Sequence, residues 1–207
     1  FISQIAEVSK EKSLMVNTDE VYKSLVYNGY MRPKSIASLP DMKERTIFIN
    51  SLSKEFCMTG WRIGYVAANR EIITAMTKLQ ENVAACAPLP SQYAAIEALR
   101  TDVDYSIEMA TVFKNRRDVL METLSHTKKI KPATVDATFY AMIDISKTDM
   151  KSEEFAYELL KRKQVAVVPG IAYGKICDDF IRIAFTLDES KIREGMNRLV
   201  TFVEELN

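Results

Sequence analysis

Apolar positions recur at helical spacing from the first residues, with Ile2, Ile5, Ala6 and Val8 on one face, so the chain is expected to begin inside a helix. Over residues 13–68 the pattern changes to short apolar runs bounded by polar or glycine positions. LMVNTD, RTIFINS and RIGYVAA read as three buried strands. Between the first two, YNGYMRPKSIASLPDMKE is turn-rich: Asn28-Gly29, Pro33 and Pro40 mark loops with room for a short helical turn. Helical periodicity returns over 70–85 and is broken by Pro88 and Pro90. From Ser91 one long helical pattern, poor in Gly and Pro, runs to about residue 125, with a bend expected near Asp102.

After Pro132 helical and strand patterns alternate: strand TFYAMIDI, helix SEEFAYELLKRK, strand VAVV, a Pro169-Gly170 turn, strand FIRIAFT and helix ESKIREGMNRLVTFVEEL. No internal repeat or low-complexity segment interrupts this order. Two units joined by the long helix are expected.

A chain of 207 residues that is 47% hydrophobic can bury a sizeable core. Lys plus Arg number 28 and Asp plus Glu number 28, a balance that argues against a nucleic-acid partner or a membrane surface and favours a small polar solute. Cys57, Cys86 and Cys177 are odd in number and lack metal-ligand spacing, which fits a reducing cytoplasm with neither disulfide framework nor metal. No apolar run approaches the roughly 20 residues of a membrane helix, and no signal-peptide pattern is present. A soluble cytoplasmic protein is expected. Phe1 in place of an initiator Met, within a helical pattern, points to a piece of something longer.

The sharpest chemical feature is Ser51-Leu52-Ser53-Lys54, followed by Met58-Thr59-Gly60-Trp61-Arg62-Ile63-Gly64-Tyr65. A strand that delivers hydroxyl residues and then a lysine into a loop sets an amine beside phosphate-binding groups, and an arginine soon after adds a planar two-pronged donor. An amine that must attack an aldehyde needs desolvation or cationic neighbours to stay reactive. Alone, a lysine after a strand is most often a solvated surface residue. Asp19 ends the first strand within Asn17-Thr18-Asp19-Glu20-Val21-Tyr22, where an aspartate is ordinarily a turn or helix cap. Arg182 interrupts an apolar strand, so it must reach solvent or an anion.

SLSKEFCMTGWRIGY resembles the active-site lysine signature of class I/II aminotransferases, fold-type I enzymes that use pyridoxal 5′-phosphate. The resemblance implies that Lys54 forms the imine with the cofactor aldehyde and that Ser51 and Arg62 grip its phosphate. Ser53 fits a phosphate contact and a structural hydroxyl equally well. DEVY resembles the family's D-E-x-Y, which implies that Asp19, as a buried carboxylate, pairs with the ring nitrogen while Tyr22 bonds the phenolic oxygen; Glu20 is then structural or loop-facing. IRIAF resembles the strand whose arginine binds the substrate α-carboxylate, which implies that role for Arg182. Pro169-Gly170-Ile171-Ala172-Tyr173-Gly174 resembles the P-G-x-x-F-G turn that closes over the site. Tyr140 either faces the site or packs, Trp61 is expected to pack under the signature, and His126 reads as a helix C-terminal partner. Ala137 stands where the family often has glycine, which leaves the tightness of that turn open.

The resemblance runs from Phe1 to Asn207 and matches the C-terminal half of such an enzyme. It implies an α/β fold of the PLP-dependent transferase type: the C-terminal part of a large mixed-sheet domain over 1–100, an interdomain helix over 101–130 and a smaller α+β domain over 131–207. The sheet is expected to be largely parallel, with the site at strand C-termini. Elements that precede this region in the family include a phosphate-cradling loop at a helix N-terminus, the aromatic residue stacked on the cofactor ring and an asparagine to its phenolic oxygen. The implied activity is amino-group transfer between an L-amino acid and a 2-oxo acid, in a homodimer. A carbon-sulfur β-lyase is the alternative on the same chemistry, distinguished by release of ammonia and pyruvate from a sulfur amino acid. An aminotransferase-like effector domain of a transcription regulator is a third, marked by a basic winged-helix segment upstream.

Overall fold

The computed structural model describes residues 1–27, 33–101 and 105–206, with the backbone alone at Ser106. The Asn28-Gly29 turn and the bend near Asp102 lie outside the described residues. The chain divides into two compact units, Phe1–Met109 and Ala110–Asn207.

In the first unit, helix α1 (Ile2–Glu11) precedes strand β1 (Val16–Asp19). The loop that follows contains short 3-10 turns at Ile36–Ser38 and Lys43–Arg45. Next come β2 (Thr46–Ser51), the one-turn helix α2 (Leu52–Glu55) and β3 (Gly64–Ala67). The three strands form one sheet in the order β1-β2-β3, parallel between β1 and β2 and antiparallel between β2 and β3. The sheet is therefore mixed, but half of its pairings are antiparallel. Ala6, Ile36 and Met42 bury together with Ile2, Val16 and Leu39 packed on them, which seats α1 beside β1.

These strands are less buried than their apolar runs suggest. β1 alternates between half-buried and exposed positions, and β3 is mostly exposed. An apolar run says only that a face can be covered, not that it is covered within the same stretch of chain. Helix α3 (Arg70–Val83) starts at Asn69, whose side chain accepts from Ile72 N at 3.0 Å. The long helix expected from residue 91 is two helices, α4 (Leu89–Arg100) and α5 (Tyr105–Leu124). Thr101 adopts φ −64°, ψ 137°, extended backbone that ends α4; a β-branched residue accepts that conformation readily, so helical periodicity on either side did not register the break.

The second unit is a four-stranded antiparallel sheet in the order β4-β5-β7-β6, from β4 (Lys131–Pro132), β5 (Tyr140–Asp144), β6 (Val168–Pro169) and β7 (Phe180–Ala184). Helix α6 (Ser152–Lys163) lies between β5 and β6, and α7 (Glu189–Glu204) follows β7. Period-2 alternation sends Ala141, Ile143, Ile181 and Ile183 into the core and leaves Tyr140, Met142 and Arg182 on the opposite face. α7 answers with Ile192, Met196, Leu199, Phe202 and Val203, all buried on one helical stripe. The Phe202 ring meets that of Phe155 edge-on, with centroids 5.2 Å apart. Acidic Glu153 and Glu154 open α6 and basic Lys161, Arg162 and Lys163 close it, matching the helix dipole.

The strand expected at VAVV shrinks to a two-residue ladder at Val168–Pro169, because Gln164 turns the chain through φ 57° and Pro169 has no N–H to extend the pairing. Before β5 the left-handed residue is Thr138, at φ 65°, with Tyr140 N donating to its hydroxyl at 2.9 Å. The turn is thus made one residue after Ala137. Among the described residues no helix is long and apolar enough to cross a membrane, and no cluster of His, Cys, Asp or Glu is suited to a metal ion.

Candidate functional site

The parallel pairing of β1 and β2 aligns their C-terminal ends, with Asp19 opposite Ile49 and Ser51 two residues further along β2. Glu20 N donates to Ile49 O at 2.9 Å, which prolongs the ladder past Asp19. The chain then turns, so that Asp19 Oδ1 accepts from Val21 N at 3.2 Å. The carboxylate is exposed rather than buried as the strand pattern implied. It acts as a turn cap through one oxygen.

Glu20 accepts from Ser35 Oγ at 2.6 Å and from Thr18 Oγ1 at 3.3 Å, with Lys23 Nζ at 3.6 Å. Ser35 in turn caps the Ile36–Ser38 turn. The residue beside Asp19 therefore ties the end of β1 to the following loop.

Within the same turn Tyr22 is brought to the lysine loop: Lys54 Nζ lies 5.7 Å from the centroid of its ring. Lys54 sits in α2, whose start is set by Ser51, the Oγ of which accepts from Ser53 N at 3.1 Å. The same hydroxyl donates to Ile63 O at 3.2 Å. Asn50, buried at the end of β2, accepts from Ser51 N at 2.8 Å and donates to the Tyr65 hydroxyl at 3.1 Å. Asn50 is a fixing residue that the apolar reading of RTIFINS passed over; a buried amide in such a run was its signal.

Gly64 pairs with Ser51, and a Cβ there would stand 2.8 Å from Asn50 O, so the close strand approach requires glycine. Leu52 and Met58 bury against Ala95 of α4 and anchor both ends of the loop. Arg62 occupies the left-handed region at φ 52°, ψ 46°, and its guanidinium donates to Thr59 O at 3.0 Å while remaining exposed. Left-handed backbone at a non-glycine residue is strain that recurs at binding sites. Trp61 does not pack under the signature but is 46% exposed, since the 3-10 turn at Thr59–Trp61 turns its ring outward.

Arg182 belongs to the second unit. It lies on the sheet face away from the helices, opposite Met142 on β5 and Val168 on β6. Its guanidinium carbon is 4.2 Å from the Tyr140 ring centroid and 5.1 Å from that of Tyr173. Among the described residues its Nε is buried without a hydrogen-bond partner. A desolvated cationic donor in that state suits an incoming anion. Tyr140 thus faces the arginine rather than only packing.

The first unit gathers Asp19, Tyr22, Ser51, Ser53 and Lys54 at the ends of β1 and β2, with Arg62 on the loop beyond. An amine, a carboxylate, a phenol, hydroxyls and a guanidinium are the donor set that a phosphorylated pyridine aldehyde can use, so the residues fit that group. Two members are qualified: Asp19 is exposed and caps a turn rather than standing buried, and the Ser51 hydroxyl already bonds Ile63 O and would have to turn to reach a phosphate.

Residues 1–199 match the family model described as Aminotransferase class I and II. The chain is 37% identical to the aspartate aminotransferase of Sulfolobus acidocaldarius, with 99% of this chain covering 52% of that protein. It is 36% identical to aromatic-amino-acid aminotransferase 2 of Thermococcus litoralis, again 99% of this chain and 52% of the relative. The crystal structure of the aromatic aminotransferase from Pyrococcus horikoshii superposes with a TM-score of 0.92 at 37% identity, covering 99% of this chain and 55% of that one. The chain spans about half the length of the curated relatives it matches.

Proposed function

Given that this chain belongs to the aminotransferase class I and II family, we propose that it moves an amino group between an L-amino acid and a 2-oxo acid with pyridoxal 5′-phosphate, as part of a homodimeric cytoplasmic enzyme. In this reading residues 1–100 are the C-terminal part of the large cofactor-binding domain, 101–130 the interdomain helix and 131–207 the small domain.

The observation that carries the reading is the meeting of Lys54 and Tyr22 beside Asp19, at the ends of two adjacent parallel strands. When bound, pyridoxal phosphate supplies an electron sink that stabilises negative charge at the substrate α-carbon. Lys54 would hold the cofactor covalently at rest and, once the substrate amine has displaced it from the aldehyde carbon, its freed amine would take the α-proton and return it as general base and acid. Asp19 sets a negative charge against the ring nitrogen, and Tyr22 donates to the phenolic oxygen. Arg62, Ser51 and Ser53 hold the phosphate, the arginine by its planar fork. Arg182 receives the α-carboxylate common to both substrates. Because amino acid and oxo acid share that carboxylate and differ at the α-carbon, one arginine serves both halves of the exchange.

The test is Lys54→Ala in the purified full-length enzyme. Loss of transamination, together with loss of the visible absorption of the protein-bound cofactor, is expected. Retention of both would contradict the assignment.

A further inference from the structure

We propose that Tyr140 and Tyr173 form an aromatic clamp that holds the Arg182 guanidinium in a preset plane, making the two tyrosines positioning residues for the substrate carboxylate. The inference rests on the reading of Arg182 as the carboxylate-binding residue.

Tyr140 lies two residues from Met142, the register partner of Arg182, and so points to the same sheet face. Tyr173 arrives from the other side, on the 3-10 turn Gly170–Tyr173 that follows β6. Both rings are within cation–π range of the guanidinium. Among the described residues the arginine makes no ion pair, and its buried Nε has no acceptor. Two ring faces restrain the plane of the cation without using its N–H donors. What remains available is the planar edge that a carboxylate grips with two parallel bonds.

The turn that carries Tyr173 is itself fixed to the approach of β7. A Cβ on Gly170 would lie 1.9 Å from Cys177 O and 2.4 Å from Phe180 O, so the turn is seated directly on that segment. Ser152, fully buried, accepts from Ile171 N at 3.1 Å and donates to Asp178 Oδ1 at 2.7 Å. Turn, helix α6 and the segment before β7 are therefore tied to one another, which seats Tyr173 over Arg182. A long side chain ordered before binding avoids an entropic loss on binding worth about 2- to 10-fold in affinity.

The experiment compares Tyr173→Leu, Tyr173→Phe and Arg182→Lys in the full-length enzyme loaded with pyridoxal phosphate. It reads KM for the amino acid and for 2-oxoglutarate, kcat, the calorimetric Kd for 2-oxoglutarate, and the melting temperature. Tyr173 is 46% exposed, so its replacement spares the core. Tyr173→Leu should raise both KM values and the Kd about 2- to 10-fold with kcat and melting temperature little changed, and Tyr173→Phe should restore them. If Tyr173→Leu changes neither KM nor Kd while Arg182→Lys raises both, the clamp is overturned and the carboxylate role of Arg182 stands. A loss that phenylalanine does not repair assigns the effect to the hydroxyl and also overturns the clamp. If Arg182→Lys leaves both constants unaltered, the role of Arg182 fails and the clamp with it.

Discussion

Lys54 Nζ and the Tyr22 ring stand 5.7 Å apart, although one belongs to the helix after β2 and the other to the turn after β1. The parallel pairing of those strands brings them together, and it aligns Asp19 with them through the register opposite Ile49. Strand C-termini on one edge of an α/β sheet are where ligands ordinarily bind, and the polar residues of this unit collect there.

Asp19 performs a local task as well as the proposed one, since it caps the turn through Val21 N. Asp19→Asn keeps an oxygen for that bond and removes the charge, whereas Asp19→Ala removes both. Under the proposed role the two variants lower kcat alike, on the order of 100-fold or more, with cofactor still bound and KM less affected. If Asn were to keep wild-type turnover while Ala lost it, the residue would be a turn cap only.

Phe202 is fully buried and meets Phe155 edge-on in the core of the second unit. Phe202→Ala should destabilise by about 3–5 kcal/mol, the range for removing a buried aromatic ring. Chemical denaturation of the two proteins measures it. A loss below about 1 kcal/mol, typical of surface changes, would mean that α7 is not packed as described.

Asp188 caps α7, accepting from Ser190 Oγ at 2.6 Å and Lys191 N at 3.0 Å. The serine hydroxyl and then the Lys191 amide hold its carboxyl well below the usual range. A carboxylate whose folded value is depressed adds stability above its unfolded value of about 3.9, and the gain fades as pH falls from there toward the folded value. Asp188→Asn keeps the capping acceptor without the charge. Its stability deficit should therefore be present at neutral pH and shrink on acidification below about pH 4, as followed by denaturant midpoints. A deficit that grows in acid would reverse the sign and refute the linkage.

The second unit was legible almost to the residue where local rules agree. SEEFAYELLKRK became α6 over the same span because its apolar stripe, acidic start and basic end all describe one helix. The lysine loop and DEVY were recognisable as motifs, and their side chains do gather. Other features depend on contacts between distant segments. Helical periodicity persisted through Thr101, which is extended in the structure. The apolar runs of β1 and β3 signalled buried strands, yet exposure depends on what packs against them, and Asp19 proved exposed. The stacking of Tyr173 on Arg182 depends on a turn folding back over the sheet, a contact that neither strand nor helix periodicity encodes.

Lys54, as the residue proposed to hold the cofactor, is the position around which every other assigned role is arranged. The most direct measurement is to incubate the purified full-length enzyme with pyridoxal phosphate, reduce with borohydride, digest, and locate the label by mass spectrometry. The label should fall on the peptide containing Lys54 and vanish from it in Lys54→Ala. A label spread over exposed lysines, or one that Lys54→Ala leaves unchanged, would contradict the account.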